Sequence, residues 1–131
     1  MVRRPDDAEL RGELQAELMR IVWRLGEVTV DQARAAQPSR GRCAYTTVQT
    51  VLNRLVDRGL LTRRRRGRAF VYKAAYTEPE LVARSIGERL ADASADARRT
   101  AMLNLVEGLG PEELEEVALM ANRIRRERQR E

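Results

Sequence analysis

A mainly helical fold with one small β-hairpin is predicted for this chain of 131 residues: a winged helix-turn-helix followed by a C-terminal helical region. Three observations predict it. Apolar residues over 44–58 recur at the spacing of a buried helical stripe, a basic hairpin pattern follows at once, and three amphipathic segments occupy the remainder. We therefore expect a flexible tail over residues 1–8, a winged-helix domain over 9–76 and a helical dimerisation domain over 77–131.

The first helix is predicted from apolar residues that share one face and from Gly26, which is a typical helix stop. These apolar residues are Leu10, Leu14, Leu18, Ile21, Val22 and Leu25. Trp23 is expected to fill the core rather than to serve as a ligand platform, because large aromatic side chains mostly pack in cores. Val28 predicts a short strand that pairs with the later hairpin.

A short second helix is predicted from Val30 to Ala36. Thr29 and Gln32 have the spacing of a capping box, in which each side chain bonds a free backbone N–H of the first turn. The helix must end before Pro38, because the residue that precedes a proline is disfavoured in the helical region. The loop that follows is basic and leads into the third helix.

The third helix is predicted to begin near Ala44 and to stop at Gly59, with a buried stripe formed by Val48, Val51, Leu52 and Leu55. The segment 60–73 then predicts two strands joined by a basic turn centred on Gly67. In the second strand, Phe70 and Tyr72 alternate with Ala69, Val71 and Lys73, which is the period of a half-buried strand.

The other face of the third helix is rich in short polar side chains, where a solvated helix would usually carry Glu and Lys pairs. The residues of this face are Thr46, Thr47, Gln49, Thr50, Asn53, Arg54 and Asp57. Gln and Asn can bond adenine bidentately, and Arg can bond guanine. The pattern predicts a recognition helix in the major groove, with the hairpin at the backbone or minor groove. A solvated hairpin is the alternative, but five of the six residues 63–68 are Arg.

Charge and composition agree with a polyanionic partner. Residues 1–76 carry a net charge of +8, whereas residues 77–131 carry −3. The chain has no His and a single cysteine, Cys43, so His-dependent catalysis, a thiolate metal cluster and an internal disulfide are excluded. We expect no enzyme activity and no cofactor. Without a signal peptide or an apolar span, a cytoplasmic protein with no membrane insertion is expected.

Three amphipathic helices are predicted in the C-terminal part. Thr77 with Glu80, Ser94 or Asp96, and Gly110 with Pro111 provide their start signals. Three apolar stripes in so short a segment cannot all be buried within one small unit, so a symmetric dimer is expected. A self-contained three-helix bundle is the alternative. The residues expected at the dimer contact are Leu81, Ile86, Leu103, Leu105, Val106, Leu114, Val117 and Ala121.

The segment AYTTVQTVLNRL, from Ala44 to Leu55, resembles the penicillinase-repressor family of bacterial winged-helix regulators (BlaI/MecI type). Further similarity lies in ELMRIVW, from Glu17 to Trp23, and in GRAFVY, from Gly67 to Tyr72. The resemblance implies base contacts from residues that match Thr46, Gln49 and Thr50. It implies backbone contacts from the region of the second helix and its basic loop, which includes Arg42, and from Arg54, Arg65, Arg66 and Arg68.

The same resemblance implies a homodimer that represses transcription from a pseudo-palindromic operator in double-stranded DNA. It further implies release by a sensor-linked protease that cuts between residues matching Asn104 and Leu105. Two alternatives remain from the residues themselves: a nonspecific nucleic-acid-binding or architectural protein, and a winged-helix protein-interaction module. Cys43 could weaken DNA binding on oxidation, although a lone cysteine is more often a small apolar residue.

Overall fold

The computed structural model describes the backbone of residues 7–131 and the side chains from Gly12 onwards. Helix α1 begins at Asp7, and residues 1–6 of the predicted tail lie outside the described residues. The described residues form two compact units, one that ends at Val82 and one over residues 83–131. The first turn of the fourth helix belongs to the N-terminal unit, and the rest of that helix belongs to the C-terminal unit.

The N-terminal unit has the element order of a winged helix-turn-helix, as predicted. The elements are α1 (Asp7–Leu25), β1 (Glu27–Val28), α2 (Val30–Ala36), α3 (Tyr45–Asp57), β2 (Leu61–Arg66) and β3 (Ala69–Ala74). The three strands form an antiparallel sheet in the order β1-β3-β2, with Val28 opposite Tyr72. Strand β1 therefore pairs with the hairpin, as the sequence indicated. The hairpin of β2 and β3 is called the wing below.

Local signals in the sequence place the boundaries of these elements. The Thr29 hydroxyl accepts a hydrogen bond from Gln32 N, and the Gln32 side chain accepts one from Thr29 N, so the predicted capping box is confirmed. Gly59 ends α3 with a φ of 78°, and Gly67 turns the wing with a φ of 63°. Both are left-handed conformations that glycine adopts without a steric penalty.

One hydrophobic core joins the faces of α1, α2 and α3 to the base of the sheet. Its largest fully buried members are Tyr72, Leu18, Leu52, Leu55 and Leu61. Trp23 packs against this core and donates from Nε1 to the Tyr76 carbonyl at 2.9 Å, in agreement with its predicted role. Leu81, which was expected at a dimer contact, also packs against this core.

The predicted alternation of buried and exposed residues along β3 is wrong at Phe70 and at Val71. Val71 and Tyr72 are both buried, whereas 37% of Phe70 is exposed. Phe70 pairs with Arg65 close to the wing tip, beyond the reach of the helical core. The period of two describes which face a side chain lies on, but burial also depends on how far the packed helices extend along the strand.

The C-terminal unit contains most of α4 (Glu78–Asp92), together with α5 (Ala95–Glu107) and α6 (Pro111–Gln129). Thr77 Oγ1 accepts from Glu80 N at 3.3 Å at the start of α4, and Ser94, rather than Asp96, caps α5 through Ala97 N at 3.2 Å. No side chain of the three helices is buried in this chain. None of the helices over residues 7–131 is long and apolar enough to cross a membrane.

Candidate nucleic-acid interface

Helix α3 separates its apolar and polar side chains cleanly. Val48, Val51, Leu52 and Leu55 are buried, as predicted. Of the residues predicted to contact DNA from this helix, Thr46, Thr47, Thr50 and Arg54 are exposed, whereas Gln49 and Asn53 are half-buried. Packing on one side thus fixes the helix while a polar stripe of small side chains remains on the other, which suits insertion into a major groove.

The exposed stripe is partly pre-arranged by its own hydrogen bonds. The Thr50 hydroxyl donates to the Thr46 carbonyl at 2.8 Å, one helical turn back. With its hydrogen engaged, the hydroxyl oxygen can accept from a base amino group, and the methyl group can contact a thymine methyl. Gln49 lies one position earlier. The guanidinium group of Arg54 forms no hydrogen bond or ion pair within the described part of the chain.

The N-terminus of α3 has the features of an anion-binding helix end. Ala44 occupies the cap position and provides no side-chain hydrogen bond, and the first turn contains no acidic residue. The positive end of the helix dipole therefore has neither a side-chain cap nor a nearby carboxylate to neutralise it. Such an end favours a phosphate group beside the base-contacting residues.

A hydrogen-bonded loop places α3 relative to α2. The side chain of Gln37, which is only 2% exposed, accepts from Cys43 N at 3.1 Å. Arg34 Nε donates to the Cys43 carbonyl at 2.7 Å, and Arg42 Nη2 donates to the Ala35 and Gln37 carbonyls, both at 3.0 Å. Arg42 was predicted to bind DNA; it remains exposed, but its guanidinium also stabilises this loop. The sequence analysis missed Gln37 and Arg34, since neither lies in a recognisable motif.

Cys43 is half-buried within the same loop. Its Sγ atom lies 3.7 Å from Gln37 Nε2 and 3.7 Å from the Gly41 carbonyl oxygen, and the residue packs against the core. Oxidation of this thiol would have to disturb the Gln37 hydrogen bonds that hold the entry to α3.

The wing has two faces of different character. Arg63, Arg65, Phe70 and Tyr72 share one face, because paired and alternate residues of a hairpin lie on the same side. The Arg63 guanidinium lies 4.6 Å from the centroid of the Phe70 ring, and that of Arg65 lies 5.9 Å away. Both distances fall in the cation–π range. The aromatic ring thus holds Arg65, a predicted DNA contact, beside Arg63, which was not predicted to contact DNA.

The other face of the wing contains Arg64 and Arg66. Arg64 Nη2 forms an ion pair with Glu27 Oε2 at 3.0 Å, and this hydrogen bond lowers the pKa of the Glu27 carboxyl below its usual value of 4.5. Arg66, on this face, and Arg68, in the turn, are exposed, and their guanidinium groups form no hydrogen bond within residues 12–131. The predicted contacts Arg65 and Arg66 therefore lie on opposite faces of the hairpin.

A hydrogen-bond cluster, buried only on its Tyr72 side, joins α3 to the wing. Asn53 Oδ1 accepts from the Tyr72 hydroxyl at 2.7 Å and from Arg63 Nη1 at 2.8 Å. Tyr72 is fully buried, and burial raises the pKa of its phenol above 10.0. The sequence analysis assigned no functional role to Arg63, Phe70 or Tyr72. The alternation of β3 already indicated that Phe70 and Tyr72 share a face.

Residues 11–123 match the penicillinase repressor family model. The chain belongs to the penicillinase repressor family. This confirms the resemblance that the α3 motif indicated. The members of this family are winged-helix, DNA-binding transcriptional repressors rather than enzymes.

Two relatives and one solved domain are similar to this chain. A transcriptional regulator named BlaI from Mycobacterium tuberculosis is 36% identical over 104 residues, which cover 78% of this chain and 75% of the relative. An uncharacterised 16.5 kDa protein from Latilactobacillus sakei is 43% identical over 65 residues, or 49% of this chain and 44% of the relative. The solved DNA-binding domain of the repressor BlaI is 25% identical with a TM-score of 0.46, covering 52% of this chain and 83% of that domain.

Proposed function

We propose that this protein represses transcription in the cytoplasm as a homodimer bound to a pseudo-palindromic operator. One observation carries the proposal. The exposed polar stripe of α3 and the arginine-rich wing belong to the same domain, and the first turn of α3 contains no acidic residue. Both parts of the interface thus match duplex DNA, the helix by its hydrogen-bonding groups and the wing by its charge.

Base contacts are assigned to Thr46, Gln49 and Thr50. The Gln49 amide can bond an adenine edge bidentately, and the two threonines can contact neighbouring bases in the groove. Phosphate contacts are assigned to Arg54 beside the stripe and to Arg65, Arg66 and Arg68 on the wing. Thr47 and Arg42 flank the N-terminus of α3, where a backbone phosphate would be favoured.

Dimerisation is supported by the apolar side chains that the C-terminal unit leaves in solvent. Ile86, Leu103, Leu105, Val106, Leu114 and Val117 are each at least 40% exposed, and Ala121 is exposed beside them. A self-contained bundle would bury its own apolar stripes, whereas the apolar side chains of this unit are exposed. Exposed apolar surface on this scale is typical of a protein interface, and two-fold pairing would place two winged helices on two half-sites.

Release by proteolysis is proposed between Asn104 and Leu105. This bond lies in the last turn of α5, and the Asn104 carbonyl accepts from Gly108 N at 3.2 Å. A helical peptide bond must be unwound before a protease can cut it, so the end of α5 would have to open locally. The cut would separate α6 from the rest of the chain and remove part of the proposed dimer contact.

The decisive experiment is the selection of genomic DNA fragments by the purified protein in about 0.15 M salt with excess nonspecific competitor. We expect a two-fold symmetric site near a promoter. Gln49→Ala and Thr50→Ala should each lower affinity for it by roughly 5- to 150-fold, equivalent to about 1–3 kcal/mol, since each removes a base contact. Asp31→Asn, on the exposed side of α2, is the matched control and should retain specificity.

Other outcomes of this selection would support one of the two alternative functions. Recovery without sequence preference, but with a steep salt dependence, would indicate an architectural nucleic-acid-binding protein. Weak binding with a shallow salt dependence would favour a protein-interaction module. The proteolysis step is tested separately, by the mass of the chain recovered from cells before and after the neighbouring genes are induced. An intact chain from induced cells would contradict cleavage.

A further inference from the structure

The hydrogen bonds at Asn53 define which atom of its amide faces the wing. Arg63 can only donate, so the atom 2.8 Å from its Nη1 must be an acceptor, which identifies it as the carbonyl oxygen Oδ1. The Tyr72 hydroxyl, 2.7 Å from the same oxygen, is then the second donor. An amide oxygen has two lone pairs, and both are occupied in this arrangement.

This arrangement limits what Asn53 can do on DNA. Bidentate recognition of adenine by an amide needs the oxygen to accept from the base amino group while the nitrogen donates to the ring. The Asn53 oxygen already has two protein donors. Full adenine recognition would therefore require both bonds to break, and it would leave the hydroxyl of the fully buried Tyr72 without a partner, at an unfavourable desolvation cost.

The same bonds join the wing to α3. Arg63 and Tyr72 are directly paired across β2 and β3, so one oxygen of α3 holds both strands of the wing. The Arg63 guanidinium also lies over the Phe70 ring, and the Arg65 guanidinium lies near the same ring. A continuous series of contacts thus runs from the middle of α3 to the arginines near the wing tip.

We propose that Asn53 is a positioning residue, whose Oδ1 fixes the wing against α3 through Tyr72 and Arg63, and that it does not itself recognise a base. The cluster sets the separation between the groups that contact bases and the arginines that contact the backbone. The inference rests on the proposed function for its effect on DNA, but the cluster itself can be tested without DNA.

The DNA-free experiment measures amide hydrogen exchange of the full chain. Tyr72→Phe removes only the hydroxyl and keeps the ring in the core, and Asn53→Ala removes the acceptor. Tyr72→Phe should increase exchange of the wing amides over 63–71 by roughly 3- to 10-fold, as expected for the loss of one hydrogen bond. Asn53→Ala should increase it by at least as much, because it removes the acceptor of two hydrogen bonds. Ile21→Val, a mild change in α1 that also lowers stability, is the control and should not act selectively on the wing.

The DNA experiment compares a duplex recovered by the genomic selection with a random duplex of equal length. We expect Tyr72→Phe and Asn53→Ala each to lower the ratio of the two affinities by roughly 3- to 10-fold. Because both act through one cluster, the double variant should lose little more than the larger single loss. The slope of log affinity against log salt concentration should also become less steep by about one, because wing contacts to phosphate become less populated. Ile21→Val should leave this slope unchanged.

Two results would overturn the inference. If Asn53→Ala lowers the affinity ratio while its wing amides exchange as in the unmodified protein, Asn53 acts on DNA directly rather than through the wing. If wing exchange is unaltered in both variants, the cluster does not hold the wing. A selection that recovers no preferred site would count against the proposed operator, whereas the exchange experiment would still decide the role of the cluster.

Discussion

The N-terminal and C-terminal units use apolar residues in opposite ways. Leu18, Leu52 and Leu55 are fully buried within the winged helix, whereas Leu103, Leu105 and Leu114 of the C-terminal helices are about half exposed. The two units have similar helical patterning, and both have well-formed caps at their helices. The difference is that only the first contains enough elements around a common centre to cover its own apolar stripes.

This comparison shows that an amphipathic pattern specifies a buried face but not what buries it. In the N-terminal unit, three helices and a sheet enclose one core. In the C-terminal unit, no side chain of α5 or α6 is buried in the single chain, so the same kind of pattern favours an assembly. The net charge also differs between the two parts of the chain, at +8 over residues 1–76 and −3 over residues 77–131.

The largest effect is expected from a charge placed on the exposed apolar surface of α5. Leu103→Asp should produce monomers and lower operator affinity by more than roughly 100-fold, because each chain would then hold a single half-site. Sedimentation equilibrium and operator titration measure the two consequences. Asn104→Asp adds the same charge on the polar side of the helix and should leave the dimer and the operator affinity unaffected. A variant at Leu103 that remains dimeric with full affinity would contradict this placement of the interface.

A smaller effect is expected for leucine truncations that compare the two units directly. Leu52→Ala creates a cavity in the N-terminal core and should lower the free energy of unfolding by about 2–5 kcal/mol. Leu119→Ala removes a side chain that is 64% exposed and lies off the predicted dimer stripe, so it should cost less than about 0.5 kcal/mol. Urea unfolding at two protein concentrations checks both values. Equal losses would show that Leu119 is covered in the assembled protein.

The smallest effect concerns the ionisation of Tyr72. Burial raises the pKa of this phenol above 10.0, because the charged phenolate is poorly solvated in the core. The resulting stabilisation is complete below pH 10 and is lost as the pH rises through the raised pKa of the folded state. A near-ultraviolet titration should show a tyrosine ionisation step above pH 10 that Tyr72→Phe abolishes. A titration curve that Tyr72→Phe leaves unaltered above pH 10 would contradict this environment.

Much of the fold could be predicted because its signals are local. The bounds of α2, the capping box at Thr29, the stop at Gly59 and the wing turn at Gly67 each depend on a few neighbouring residues. The polar stripe of α3 was predictable for the same reason, since its members repeat with the helical period. The exposure of Phe70 was not, because it depends on how far the helices extend over the sheet.

The sequence by itself determined the order of elements, the family and the polar stripe on α3. Helical periodicity, caps and the α3 motif all depend on residues that are close together in the chain. Only the tertiary structure decided which of those side chains are already engaged. Asn53 and Thr50 are alike in sequence as small polar residues on one stripe, yet the Asn53 oxygen binds Tyr72 and Arg63 from the wing. Such partners are distant in the chain, and packing alone brings them within hydrogen-bonding distance.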